Sequence, residues 1–242
     1  MKEKIETLKK YINECNNIVF FGGAGVSTAS GIPDFRSKDG LYNQKDIQFE
    51  KYDPEYLLSK DCLVRNQKVF FEFYRQKLDT REIEPNITHY KLAELEKKGK
   101  LKCIVTQNID GLHQKAGSKN VCEIHGTTLK AYCMKCGKVH DFRYLFDCDE
   151  DIPTCDCGGV IRPDVTLYGE NLPGDAWDRA YLRIGDADML IVAGTSLSVY
   201  PAANLVSEFQ GKYLVVINRD PLNNCHADLE IIGDMTDVFT EL

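Results

Sequence analysis

Residues 19–37, VFFGGAGVSTASGIPDFRS, crowd small and chemically active side chains into one short stretch. An apolar run feeds Gly22-Gly23-Ala24-Gly25, where missing side chains let a backbone approach a pyrophosphate. Amide N–H groups opening a following helix would then meet its charge. The spacing is not G-x-G-x-x-G, because Thr28 stands where a third glycine would fall, and the acidic residue that grips a ribose about 20 positions on is not evident. Taken alone, the cluster serves equally as a tight strand-to-helix turn. Its continuation carries more: Ser27, Ser30, Asp34, Phe35 and Arg36 put hydroxyl, carboxylate, aromatic and guanidinium groups within ten residues. Arg36 is suited to a phosphate, and Phe35 to covering a flat ring.

Two further stretches place polar side chains at the ends of expected strands. Residues 106–117, TQNIDGLHQKAG, set Gln107, Asn108 and Asp110 where sugar hydroxyls or a carboxamide could be held. An Asx-type turn explains the same residues when they are considered alone. Residues 121–128, VCEIHGTT, end a strand in His125, whose titration range suits general-base work. A lone histidine there is more often structural. Of the five histidines, His113 also falls near the expected cleft, whereas His89, His140 and His226 lack supporting neighbours. Residues 192–205, VAGTSLSVYPAANL, repeat the order of strand, small polar loop and helix, with Gly194-Thr195-Ser196 as a second turn facing phosphate or ribose. Asn218, closing the run 215–218, is placed to meet another hydroxyl.

The cysteines form a separate constellation. Cys133-x-x-Cys136, eighteen intervening residues, then Cys155-x-Cys157-Gly-Gly lies close to the four-cysteine zinc-ribbon pattern. Gly137, Gly158 and Gly159 free the backbone to turn around tetrahedral thiolates. Zinc with four protein ligands is structural, since no coordination position stays open. The second pair is one residue shorter than C-x-x-C, which leaves Cys148 as a spare ligand.

These stretches need elements to hold them. Ile5, Leu8, Ile12 and Cys15 recur at helical spacing before a strand at 18–21. Asp53-Pro54 pairs a cap with a first helical position, opening one or two helices that run to about Leu78. A helix over 87–98 stops at Gly99. Strands follow at 103–106 and 121–124, then a cysteine-rich module over 133–159 without a long apolar period. Beyond it the pattern predicts helices at 176–184 and 202–209 and strands at 189–192, 214–217 and 229–232. Strands alternating with helices imply an α/β fold, a Rossmann-like doubly wound parallel sheet. The small zinc-ribbon-containing domain and a helical insertion would stand beside it.

Bulk composition narrows the function. At 242 residues the chain can build one large α/β domain with a small appendage, or two modest domains. A formal charge of −7 argues against a general binder of nucleic acid or anionic membrane. The longest apolar runs, 189–193 and 213–217, are too short to span a bilayer. The first residues have no signal-peptide core, so the ten cysteines read as cytoplasmic thiols and metal ligands rather than disulfides.

In this order, GAGVSTASGIPDFRS, TQNIDGLHQKAG, EIHG, the cysteine pairs, RPDVTLYGENLP, GTSLSVYPA and VVINRD resemble the sirtuin family of NAD-dependent protein-lysine deacylases over nearly the whole chain. The resemblance implies a discontinuous NAD-binding domain of residues 1–36, 85–126 and 160–242. A helical module of 37–84 and a zinc module of 127–159 would form the small domain. It implies catalysis by His125 as general base, with Asn108 and Asp110. The cofactor set would comprise Gly23, Ala24, Gly25, Ser27, Thr28, Asp34, Phe35, Arg36, Gln107, Asn108, Ile109, Asp110, His125, Gly194, Thr195, Ser196, Asn218 and Met235. Within it, Ala24, Thr28, Arg36 and Ser196 would hold phosphates and nearby groups, Gln107 and Asn108 the nicotinamide ribose, and Ile109 and Asp110 the carboxamide. Phe35 would shield the reacting centre, and Thr195, Asn218 and Met235 would face the adenosine half. Zinc would sit on Cys133, Cys136, Cys155 and Cys157. Val165, Tyr168, Gly169 and Glu170 would lie along an acetyl-lysine peptide that adds as a strand.

The implied reaction moves an acetyl group from lysine to ADP-ribose, releasing nicotinamide and O-acetyl-ADP-ribose. Relatives that prefer acidic acyl groups carry Tyr-x-x-Arg, where this chain has Tyr74 and Lys77, which favours acetyl. Mono-ADP-ribosyl transfer and removal of longer or acidic acyl groups are the alternatives.

Overall fold

The computed structural model describes residues 1–34, 40–41, 48–222 and 225–242. Its centre is a six-stranded sheet with all neighbouring strands parallel: β1 (Ile18–Gly22), β2 (Leu101–Thr106), β3 (Val121–Glu123), β7 (Met189–Ala193), β8 (Tyr213–Asn218) and β9 (Leu229–Ile232). The spatial order is β3-β2-β1-β7-β8-β9, the doubly wound order in which the chain reverses direction across the sheet beside β1. Every residue of β1 and of β7 is buried, as strands covered on both faces must be.

Helices close both faces. α1 (Lys2–Glu14) turns Ile5, Leu8 and Ile12 inward on one stripe, as their spacing requires. Its last carbonyls are met by Lys100 Nζ, which reaches the oxygens of Asn13 and Cys15 at 2.9 and 2.7 Å. α5 (Ile87–Lys97) begins at a reciprocal cap between Asn86 and His89, and α9 (Met235–Thr240) adds Val238 and Phe239 to the same core. On the opposite face α8 (Gly174–Gly185) and a 3₁₀ helix (Ala202–Glu208) cover Val19, Phe21, Leu190 and Val192.

A second core lies to one side. α2 (Pro54–Leu57), α3 (Lys60–Arg65) and α4 (Gln67–Lys77) pack Leu57, Leu63, Phe70, Phe71 and Tyr74 together. They meet an antiparallel sheet of order β5-β4-β6, made by β4 (Gly126–Cys133), β5 (Val139–His140) and β6 (Ile161–Val165). α6 (Leu112–Lys115) and α7 (Tyr144–Asp147) are single turns.

The structure departs from the expected elements in several places. The helical stretch after Asp53 is three helices, because Ser59 accepts the Cys62 N–H and Asn66 stops α3 and starts α4. Residues 202–208 wind as 3₁₀ rather than α. β3 ends at Glu123, one residue before its expected end, and β4, β5, β6 and α9 are additional. Among the described residues no helix is long and apolar enough to cross a membrane.

Candidate active site and metal centre

A cleft of about 960 Å³ opens beyond the carboxyl ends of β1, β2, β7 and β8. That is where the reversal of strand order leaves a crevice in an open α/β sheet. Two glycine turns interlock at its floor: Gly23 N–H donates to the Ala193 oxygen at 3.2 Å and Gly25 N–H to the Gly194 oxygen at 2.8 Å. A Cβ on Gly23 would lie 2.7 Å from Thr195 Cβ, and one on Gly25 would lie 2.8 Å from Gly194 Cα. Only glycine permits this approach, so backbone itself forms the cleft floor. The chain then takes two 3₁₀ turns, Ala24–Val26 and Thr28–Ser30, in place of the expected helix.

One wall is a chain of polar side chains. Asn108 Nδ2 donates to Ser27 Oγ at 3.0 Å, and Ser27 Oγ donates to Asp110 Oδ2 at 2.6 Å. The second Asp110 oxygen accepts the Leu112 N–H at 2.9 Å. Burial pushes the Asp110 carboxyl up, against the pull of Ser27 and the Leu112 amide. Asn108 is itself fixed by its N–H on Thr106 Oγ1. Ile109 is held by Thr128, whose N–H and Oγ1 both bond its carbonyl.

Gln107 joins three strand ends. Its Nε2 donates to Thr195 Oγ1 at 3.0 Å. Thr195 exchanges two bonds with the Asn218 carboxamide, at 3.2 and 2.7 Å. The Gln107 carbonyl also faces His125 Nδ1, whose pKa burial pushes below the ordinary imidazole value. Gly126, at φ +77, turns the chain away immediately after the histidine.

The segment 165–170 forms the facing rim. Thr166 N–H bonds the His125 oxygen, and Tyr168 exchanges backbone bonds with Leu58 and Lys60. Glu170 is engaged within the protein: both its oxygens meet the buried Arg162 guanidinium, at 2.5 and 2.9 Å, and one accepts the Leu167 N–H. All the described residues of the cofactor and substrate sets line this one cleft, Met235 among them beside Gly194. Phe35 and Arg36 lie outside the described residues. His113 does not line the cleft, because α6 turns its ring into the core against Phe20 and His89.

Lys77, at the Tyr-x-x-Lys position, lines the cleft from the end of α4. Other cleft residues carry no sequence signal: Thr80 enters just beyond α4, and Trp177 comes from α8. Arg219 and Asp220 follow Asn218 within VVINRD, the one local signal that could have found them. Tyr74, three residues before Lys77, is instead buried and stacked between Phe70 and Phe146.

The Sγ atoms of Cys133, Cys136, Cys155 and Cys157 all lie within 4.8 Å of one another. The Cys133–Cys157 and Cys136–Cys155 separations are 3.5 and 3.9 Å. A tetrahedron with Zn–S bonds near 2.3 Å has edges of about 3.8 Å, so the quartet is positioned to bind one zinc ion. The short second pair fits because Gly158 turns at φ +77 and Gly159 lets the chain pass Cys133, whose Sγ a Cβ would approach to 2.6 Å. Cys148 stays outside, 3.0 Å from Arg75 Nη2. All ten cysteines are free thiols.

A family model described as the Sir2 family matches residues 23–201. A protein of Clostridium acetobutylicum named NAD-dependent protein deacetylase is 53% identical over 218 residues, 90% of this chain and 88% of its own. A Staphylococcus epidermidis protein of the same name is 48% identical over 243 residues, 100% of this chain and 97% of its own. Among solved structures, a Sir2 protein with deacetylated p53 peptide and 3′-O-acetyl-ADP-ribose superposes with a TM-score of 0.88 at 34% identity, covering 98% of this chain and 96% of that one. A Sir2 complex with p53 peptide and NAD⁺ gives 0.84 at 35% identity, covering 98% and 95%.

Proposed function

The chain belongs to the Sir2 family, and we propose from this and from the cleft that it is an NAD-dependent protein-lysine deacetylase. Its substrates are acetyl-lysine side chains of proteins or peptides, and its products are free lysine, nicotinamide and O-acetyl-ADP-ribose. The observation that carries the reading is the convergence, in one cleft, of the Ser27–Asp110–Asn108 chain with a histidine fixed through Nδ1 by Gln107.

The glycine floor fits a dinucleotide, because Gly23 and Gly25 pack directly against Gly194 and Thr195 and, with Ala24, line the cavity with little more than backbone. When bound, NAD supplies a ribose carbon that becomes electrophilic as nicotinamide leaves. Asp110 and Ile109 hold the carboxamide, and Gln107 and Asn108 hold the adjoining ribose. Gly23, Ala24, Gly25, Ser27, Thr28 and Asp34 line the phosphate side with Gly194 and Ser196; Arg36 would add a phosphate contact and Phe35 would shield the reacting centre, as the family resemblance implies. Thr195, Asn218 and Met235 face the adenosine half. His125 Nε2 takes the proton from a ribose hydroxyl, which frees that oxygen to receive the acyl group.

Val165, Tyr168, Gly169 and Glu170 form the edge along which the peptide adds as a strand. Arg162 and Glu170 keep that edge rigid before the peptide arrives. Residues 1–36, 85–126 and 160–242 form the NAD-binding domain, and 37–84 with 127–159 form the small domain. Ile161, Val165 and Leu167 pack across this boundary into the small-domain core. Zinc on the four cysteines is structural, and the enzyme works in the cytoplasm.

Mass spectrometry of an acetyl-lysine peptide, with wild type and His125→Ala and with or without NAD, tests the reading. Loss of acetyl only with NAD, appearance of O-acetyl-ADP-ribose and silence of the variant are expected. ADP-ribose retained on a protein would indicate the transferase instead, and turnover of succinyl but not acetyl peptide a different acyl preference.

A further inference from the structure

α4 is bound to the zinc module by two arginines. Arg75 Nε donates to the Leu145 carbonyl at 2.7 Å and Nη2 to the Glu150 carbonyl at 2.8 Å. Arg81, just beyond the helix, donates to Asp147 at 2.5 Å through Nη1, while Nε and Nη2 hold Asp79 at 2.8 and 2.7 Å. Its guanidinium lies 4.7 Å from the centre of the Phe146 ring, and that ring stacks on Tyr74 at 5.3 Å. Lys68 adds an ion pair to Asp151 near the start of α4.

The segment contacted, 144–151, lies in the chain between Cys136 and Cys155, so the cysteine quartet pins it from both sides. The segment bracketed by the two arginines contains Lys77, Leu78 and Thr80, which line the cleft. α4 contributes none of the residues assigned to NAD. Leu78 belongs to the same apolar cluster as Val165 and Leu167 of the segment assigned to the acyl-lysine peptide, with Tyr168 packed against it.

We propose that Arg75 and Arg81 are positioning residues through which the zinc module sets the 77–80 wall of the cleft against the peptide. The proposal rests on the deacetylase reading for the identity of that ligand, and on the contacts alone for the tie itself. Beyond Leu78 no helix or strand forms up to Asn86, and the turn is held by the Thr80–Ile83 backbone bond, the Arg81 N–H on Asp79 and Lys115 on the Ile83 carbonyl. The exposed Arg81–Asp147 pair would contribute little in isolation. Joined to Asp79 on two further nitrogens and laid over Phe146, it acts as part of a network. Arg75 adds charge-assisted bonds to two carbonyls. A purely local role would stabilise the module and leave substrate binding untouched.

The test uses full-length, zinc-loaded Arg75→Ala and Arg81→Ala, with Arg81→Lys as the conservative control. Zinc content, amide exchange over residues 77–80, NAD affinity, and KM and kcat on an acetyl-lysine peptide are measured together. Zinc at the wild-type level with exchange at 77–80 about tenfold faster is expected. Peptide KM should rise about three- to tenfold, with kcat and NAD affinity nearly unchanged and Arg81→Lys closer to wild type. Unchanged exchange at full zinc occupancy, faster exchange without a KM effect, or loss of zinc would each overturn the proposal. If wild type deacetylates nothing, the functional reading fails, while the exchange arm still decides whether the tie exists.

Discussion

Nδ1 of His125 lies 2.9 Å from the carbonyl oxygen of Gln107. A carbonyl only accepts, so Nδ1 carries the proton and Nε2 keeps its lone pair. Gln107 is itself held by its N–H on the Gly22 oxygen and by its side chain on Thr195. Those three residues stand at the ends of adjacent parallel strands, so the sheet sets the orientation of the His125 ring.

This arrangement fixes the sign of the pH response. Burial lowers the His125 pKa from 6.5, and the Gln107 carbonyl opposes the shift only in part. The neutral imidazole therefore survives into mildly acidic solution. kcat/KM on acetyl peptide should be level near neutrality and fall on the acid side with a midpoint below 6.5. His125→Ala should lower kcat by about 10²–10⁴-fold. A midpoint above the ordinary imidazole value would count against His125 as the base.

Zinc should be lost with any of the four clustered cysteines and kept without the fifth. Cys133→Ser is expected to abolish bound zinc and unfold β4 and β5, whose ends the quartet ties. Cys148→Ser should retain the metal, since that sulfur faces Arg75. Elemental analysis with circular dichroism distinguishes the two outcomes.

His89 and His113 make stability depend on acid. Burial lowers their pKa values to about 4 and about 3, against 6.5 for the free side chain. Below 6.5 the unfolded chain takes up protons that the folded protein refuses, so unfolding becomes easier as pH falls toward the folded values. Each group contributes a slope of about 1.4 kcal/mol per pH unit in that window. Urea midpoints should fall from pH 6.5 to pH 4, and less steeply in His113→Leu. Equal slopes in the two proteins would remove His113 from the account.

Arg162 and Glu170 form a two-pronged pair, the arginine side chain only 6% exposed and the glutamate 20%. Arg162→Met removes the two charge-assisted bonds to Glu170 and should cost about 1.5–3 kcal/mol in denaturant unfolding. Replacing both, Arg162→Met with Glu170→Leu, should cost less than the single change. Peptide KM should rise in Arg162→Met more than NAD affinity falls.

Much of the site was legible because its residues follow strands directly: Gly23 after β1, Gln107 after β2 and Gly194 after β7. A parallel sheet gathers such positions at one edge whatever their separation in sequence. Features decided by distant partners were not legible. β4 alternates poorly because a register shift separates Thr127 from Ala131, and its pairing with β6 joins residues some thirty apart. His113 follows Asp110 by three residues, yet one turn of α6 sends the two side chains to different places. The C-x-C pair is one residue shorter than the usual C-x-x-C, and the left-handed turn at Gly158, which no spacing announces, supplies its reach.

The order of strands also bears on how the chain is made. β1 pairs with β2 on one side and with β7 on the other, Phe20 meeting both Ile104 and Ile191. During synthesis the first neighbour emerges about eighty residues after β1, and the second only after residue 189. Through most of translation an apolar strand destined for the centre therefore keeps an open edge, the kind of surface that chaperones shield and that truncated chains expose to aggregation. The glycine floor between Gly25 and Gly194 is completed by that late pairing, so the cleft is among the last features of the molecule to exist.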